Sequence, residues 1–71
     1  MSILQLEVGD IWTFESPVSP KMTMLIEKEY TPTFFKGDII ERDYLVYEFE
    51  TCDYETVVVT ESNQSFWRKL G

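Results

Sequence analysis

Not one alanine occurs in the 71 residues of this chain. Alanine is the strongest helix former, because a helix costs it no side-chain entropy. Its place is taken by residues that suit a pleated sheet. Ile, Val, Thr, Phe, Tyr and Trp fill 29 of the 71 positions. β-Branched side chains are already stiff at χ1, and aromatics pack well against cross-strand neighbours. The chain is therefore expected to be all-β. Its length allows one small domain, residues 1–71. A domain of this size buries only about 60% of its unfolded surface. Self-association would add burial, so a homodimer is one expected state.

Charge and composition remove several classes of function. Thirteen acids against six bases give a net charge of −7. The 44% hydrophobic content is nevertheless too high for a disordered acidic tail. With no histidine and one cysteine, the chain has neither an internal disulfide nor the ligands of a Cys/His zinc site. No apolar run approaches the roughly 20 residues of a membrane span. Met1 to Glu7 carries no basic region and no long apolar run, unlike a signal peptide. A soluble cytoplasmic protein with no membrane contact is expected.

Strands and turns alternate along the chain. Leu4, Leu6 and Val8 alternate with polar residues, and Gly9-Asp10 breaks the run with a turn. Ile11 to Phe14 resumes it, and Pro17 and Pro20 mark a loop. Met22 to about Tyr30 reads as a strand with Met22, Met24 and Ile26 inward. Phe34 and Phe35 lead into a second Gly-Asp turn at Gly37-Asp38, and Ile39-Ile40 follows. The longest strand is expected over Tyr44 to Thr51, with Leu45, Tyr47 and Phe49 inward and a turn at Cys52 to Tyr54. Three consecutive valines, Val57 to Val59, suit a strand at a barrel wall or one buried on both faces. Ser62 to Ser65 is turn-like, and Phe66 to Leu70 forms a last short strand that closes the barrel with Trp67. Five or so short strands at this spacing indicate a small, partly open barrel.

Leu4-Gln5-Leu6-Glu7-Val8-Gly9-Asp10-Ile11-Trp12 resembles the diverging-turn segment of Src-homology-3-like barrels. Ser65-Phe66-Trp67-Arg68-Lys69-Leu70 resembles the closing strand of small proteins of tailed bacteriophages. The resemblance implies a Src-homology-3-like barrel and a phage-encoded accessory protein. The family's Ala-Leu-Tyr-Asp-Tyr strand and Pro-Ser-Asn-Tyr segment are missing, so its proline-peptide binding carries over to no residue here.

The chemistry of the side chains argues against catalysis. No histidine is present to activate a nucleophile. Cys52 lies among Glu50, Asp53 and Glu55, which disfavour a thiolate. Neither isolated glycine makes a phosphate cradle. Arg68 and Lys69 beside Trp67 do not offset the overall charge, so direct nucleic-acid binding is not expected. No carboxylate run has the spacing of a calcium loop, and Met22 and Met24 read as core, so neither metal nor cofactor is expected.

What remains is a binding module. With Met22, Met24, Ile26, Leu45, Tyr47 and Phe49 inward, alternation sets Glu27, Glu29, Glu48 and Glu50 together on the outer face. Like charges opposed across a sheet are destabilising, so such a face suggests use; solubility is the competing explanation. Tyr30, Phe34, Phe35, Tyr44 and Tyr54 lie in or beside turns and are candidate contact aromatics. Phe34 and Phe35 plugging a barrel end is the alternative. The expected function is non-enzymatic: an acidic protein-binding module that binds or inhibits a host protein with a basic surface. The alternatives are an acidic DNA mimic that blocks a nucleic-acid enzyme, and a self-associating virion or assembly component.

Overall fold

The computed structural model describes residues 2–71; Met1, the first residue of the leading segment, lies outside them. The strands are β1 (Ile11–Phe14), β2 (Met22–Glu29), β3 (Thr33–Phe35), β4 (Asp38–Glu48), β5 (Asp53–Thr60) and β6 (Trp67–Lys69). A single 3-10 turn, Gln64–Phe66, precedes β6. All six strands belong to one antiparallel sheet. From edge to edge it runs β6-β1-β2-β4-β5, and β3 continues beyond β2 along the same side of β4. Among the described residues no ladder joins β5 to β6, so the sheet curls without closing. Val59 of β5 and Trp67 of β6 still meet in one core with Trp12, Met24, Ile26 and Val46. The all-β, partly open architecture expected from composition is the one that forms.

Two glycines set the turns at which they stand. Gly9 has φ +94° and Gly37 has φ +85°, in the region that an L side chain rarely adopts. Gly37 follows Lys36 at φ +51°, and this pair of positive-φ residues links β3 to β4 as a tight hairpin. The Gly9 turn is closed by an Asp10 N–H to Glu7 carbonyl bond of 3.2 Å. It is pinned to β2 by Gly9 N–H to Ile26 carbonyl, 2.8 Å, and Ile26 N–H to Asp10 carbonyl, 3.0 Å.

The segment before that turn corrects the sequence expectation. Leu4 to Val8 is not a strand. It crosses the end of the sheet, burying Ile3 and Leu6 while leaving Val8 exposed. Its main chain is satisfied by side chains rather than by a ladder. The Leu6 N–H donates to the Tyr44 hydroxyl at 2.9 Å, and the Leu4 N–H to Gln64 Oε1 at 2.9 Å. The Ile3 carbonyl accepts from Arg42 Nε at 3.2 Å. The segment thus bridges β4 and the 3-10 turn.

A larger correction concerns β4. It is one strand of 11 residues that takes in Ile39-Ile40 and stops at Glu48, before Phe49. Its pairs with β2 include Met24 with Glu48, Ile26 with Val46 and Glu29 with Tyr44. Directly opposed residues share a face, so Tyr44, Val46 and Glu48 point inward and Leu45 and Tyr47 point out. Phe49 falls in the turn that follows. Sequence pattern favours the opposite parity, because it keeps Glu48 out of the core. A one-residue change of register exchanges every inward side chain for an outward one. Of the two readings of the valine run, burial on both faces is corrected and the barrel wall fits: β5 is an edge strand, Val59 is buried in the core, and Val57 and Val58 are half-buried.

Trp67 lies in the core as expected from the sequence, 4.9 Å from the Phe14 ring, with its indole Nε1 3.4 Å from Asn63 Oδ1. Truncation of this buried ring in Trp67→Ala is expected to cost about 3–5 kcal/mol in denaturant melting. Tyr44→Phe keeps the ring and removes only the acceptor of the buried Leu6 N–H. It is expected to cost about 1–3 kcal/mol, with the strand signal in circular dichroism retained below the lowered melting temperature.

Candidate functional site

The parity of β4 decides what the convex face displays. Register pairs Ile11 with Leu25, Leu25 with Tyr47, and Tyr47 with Tyr54. The Leu70 N–H donates to the Ile11 carbonyl at 2.8 Å, which sets Leu70 beside Ile11. Leu70, Ile11, Leu25, Tyr47 and Tyr54 therefore form a row, one residue from each of β1, β2, β4 and β5 and one just past the end of β6. Ile11, Leu25 and Tyr47 are half-buried, whereas Leu70 and Tyr54 are 55% and 58% exposed. Phe49, 40% exposed, extends the row. Its ring packs edge-on to Tyr47 at 5.7 Å, and Tyr54 does so at 5.2 Å. Edge-to-face contacts hold the rings in preferred quadrupole geometry without covering them.

The aromatic end of the row stands on the turn between β4 and β5, which is held from inside. Glu48, only 2% exposed, accepts the Thr51 N–H and the Thr51 hydroxyl, both at 2.6 Å, through Oε2. These bonds lower the carboxyl below its ordinary 4.5. Cys52 takes φ +54°, and its thiol donates to the Phe49 carbonyl at 3.5 Å. The neighbouring Cys52 side chain, with desolvation adding to it, raises the Tyr47 phenol above 10.0. Tyr47 therefore presents a neutral hydroxyl at physiological pH. Glu50 in this turn and Asp53 just after it are both exposed, and Asp53, opposite Glu48, stands on the other face of the sheet from the rings.

The sequence-derived candidates separate into different environments. The face of four glutamates does not assemble. Glu48 is buried under its turn and Glu50 stands on that turn. Glu29 forms an ion pair with Arg42 at 3.0 Å and accepts from Gln5. Glu27 is exposed where the register of β2 shifts between Ile26 and Lys28. Tyr44 is 0% exposed, its hydroxyl committed to Leu6, and burial raises its phenol above 10.0. It is a core residue and leaves the set of contact aromatics. Tyr30 is partly exposed, with Lys28 Nζ 5.3 Å from its ring centroid. Phe34 and Phe35, 58% and 59% exposed, plug nothing and stand at the β3–β4 hairpin tip. Nine residues of β4 separate that tip from Tyr47, roughly 30 Å at about 3.3 Å per residue. Of the aromatics expected at a surface, Tyr54 alone joins the convex row.

Tyr47 and Phe49 are the residues that sequence reasoning set inside. The signal that finds them is Glu48, because an acid followed three residues later by Thr51 has a turn-capping partner for its carboxylate. Among the described residues no group of three His, Cys, Asp or Glu side chains is placed to hold a metal ion. The cleft beside β5, about 220 Å³, is lined by apolar Phe14, Met22, Met24, Val57 and Trp67 and offers few polar groups to orient a substrate. No family model, curated protein or solved structure matches this chain.

The depressed Glu48 carboxyl has a measurable consequence. Its contribution to stability is fully present above the unfolded value near 4.5 and is lost as pH falls through the lower folded value. Glu48→Gln is therefore expected to lower the melting temperature most at neutral pH. The difference from wild type should shrink as pH falls below about 4, as read by parallel thermal melts.

Proposed function

We propose that this chain is a non-enzymatic protein-binding module that docks its partner on the convex apolar row. The observation that supports this most is the continuity of Leu70, Ile11, Leu25, Tyr47 and Tyr54 across the sheet. Contiguous exposed apolar surface bounded by polar groups is the usual mark of an interaction site. Tyr and Phe are also the side chains enriched where interfaces are buried. The partner that fits is a protein with an apolar patch beside basic residues. The apolar patch covers the row, and the basic residues answer the net charge of −7. The terminal segments resemble phage proteins, and on that resemblance the role is that of a phage-encoded accessory protein acting on a host protein. A DNA mimic needs a continuous stripe of acids. Glu27, Glu29, Glu48 and Glu50 are dispersed, so protein binding is the better reading.

Affinity purification from bacterial lysate tests this with three baits: wild type, Phe49→Ser/Tyr54→Ser and Phe34→Ser/Phe35→Ser. The expected result is a protein retained by wild type and by the hairpin-tip variant but lost from Phe49→Ser/Tyr54→Ser. Its association rate should fall as salt rises. Equal retention by all three baits overturns the assignment, and loss confined to the hairpin-tip variant moves the site there.

A further inference from the structure

We propose that β5 pairs along its free edge with β5 of a second copy, antiparallel about a two-fold axis at Thr56. β5 has one neighbour in the sheet, β4. In an antiparallel ladder every second residue turns both main-chain groups toward its neighbour, and the residues between turn away. Three side-chain bonds reveal which set turns away from β4. Asn63 Oδ1 accepts the Thr60 N–H at 2.9 Å, and Asn63 Nδ2 donates to the Val58 carbonyl at 2.9 Å. Asp53 Oδ1 accepts the Tyr54 N–H at 2.9 Å. Residues 54, 56, 58 and 60 therefore face the free edge. β4 agrees: Asp43, opposite Val58, turns its carbonyl to the other side, where it accepts the Tyr30 N–H at 2.9 Å.

Four main-chain groups are left open between these caps: the Tyr54 carbonyl, the Thr56 N–H, the Thr56 carbonyl and the Val58 N–H. They form a self-complementary set. With Thr56 opposite Thr56 of the second copy, each Thr56 N–H donates to the other Thr56 carbonyl. Each Val58 N–H then donates to the Tyr54 carbonyl of the other copy. In that pair the Tyr54 N–H and the Val58 carbonyl also come within hydrogen-bond distance, so the Asp53 and Asn63 side chains that cap them in the single chain swing aside and exchange their bonds for one between the copies. Every main-chain group from the Tyr54 N–H to the Val58 carbonyl that faces the edge is then matched.

Side chains agree with that register. It sets Asp53 against Val59 and Glu55 against Val57, so no acid opposes an acid. Moving the axis to Val58 sets Glu55 against Glu61, acid against acid. Tyr54, Glu55 and Thr56 are exposed, and β5 has no proline, lysine or bulge to guard its edge. The dimer leaves the convex row open, with Tyr54 of one copy beside Val58 of the other. Each copy carries a net charge of −7, so association is weak at low salt and strengthens as salt screens the repulsion.

Sedimentation equilibrium of the full chain over a concentration series, at low and high salt, tests the pairing. Wild type is expected to show a monomer–dimer equilibrium that salt strengthens several-fold. Thr56→Pro removes an N–H that β4 does not use and should weaken the dimer roughly 10- to 100-fold. Thr56→Glu keeps the main chain, opposes two carboxylates on the axis and adds a negative charge to each copy. It should weaken the dimer about two- to fivefold at low salt, and high salt should remove the deficit. If Thr56→Pro loses its strand signal, Thr56→Glu decides alone. A wild type that stays monomeric at about 1 mM in high salt overturns the proposal. A dimer indifferent to Thr56→Glu at low salt also overturns it.

Discussion

The hydrogen bond from the Leu6 N–H to the buried Tyr44 hydroxyl carries more of this fold than its 2.9 Å suggests. One side of the core is covered by a segment with no ladder of its own, and each main-chain group it buries needs a side-chain partner. Tyr44 supplies one from the middle of the longest strand, and Arg42 and Gln64 supply others. The phenol meets the segment only when β4 presents Tyr44, Val46 and Glu48 inward. Closure of the core and the parity of β4 are therefore one decision.

That decision also shapes the surface. With Tyr44 and Val46 inside, Leu45 and Tyr47 are outside, and the convex face acquires its apolar row. Its cost is a carboxylate at a core position, met by locating Glu48 at the strand end, where Thr51 supplies two short hydrogen bonds. Folding the chain around Glu48 and displaying Tyr47, Phe49 and Tyr54 follow from the same turn. The exposed rings stand on a well-bonded support rather than on a mobile loop, which favours binding because little side-chain freedom remains to be lost.

The β4–β5 hairpin thus bears two different surfaces. Its convex side presents apolar side chains, and its free edge presents main-chain groups. Face recognition depends on shape and charge, whereas edge pairing depends on hydrogen-bond register. A partner on the face and a second copy on the edge are compatible, because side chains of a strand stand roughly perpendicular to the ladder direction.

The all-β class, the turns at Gly9 and Gly37 and the burial of Trp67 were determined by the sequence alone, because they follow from local chemistry: helix-poor composition, positive φ and a large apolar ring. The inward set of β2 was legible as well, since Met22, Met24 and Ile26 alternate with polar residues on either side of Leu25. β4 was not legible. In Tyr44-Leu45-Val46-Tyr47-Glu48-Phe49 both faces are largely apolar, so alternation gives two nearly equal answers and the single acid tips the choice the wrong way. Only tertiary contacts resolve it: Leu6 gives the Tyr44 hydroxyl a partner, and the turn at Thr51 gives Glu48 one. The candidate site inherits that ambiguity. Its row is drawn from strands far apart in sequence, and a row across strands exists only once register has been set.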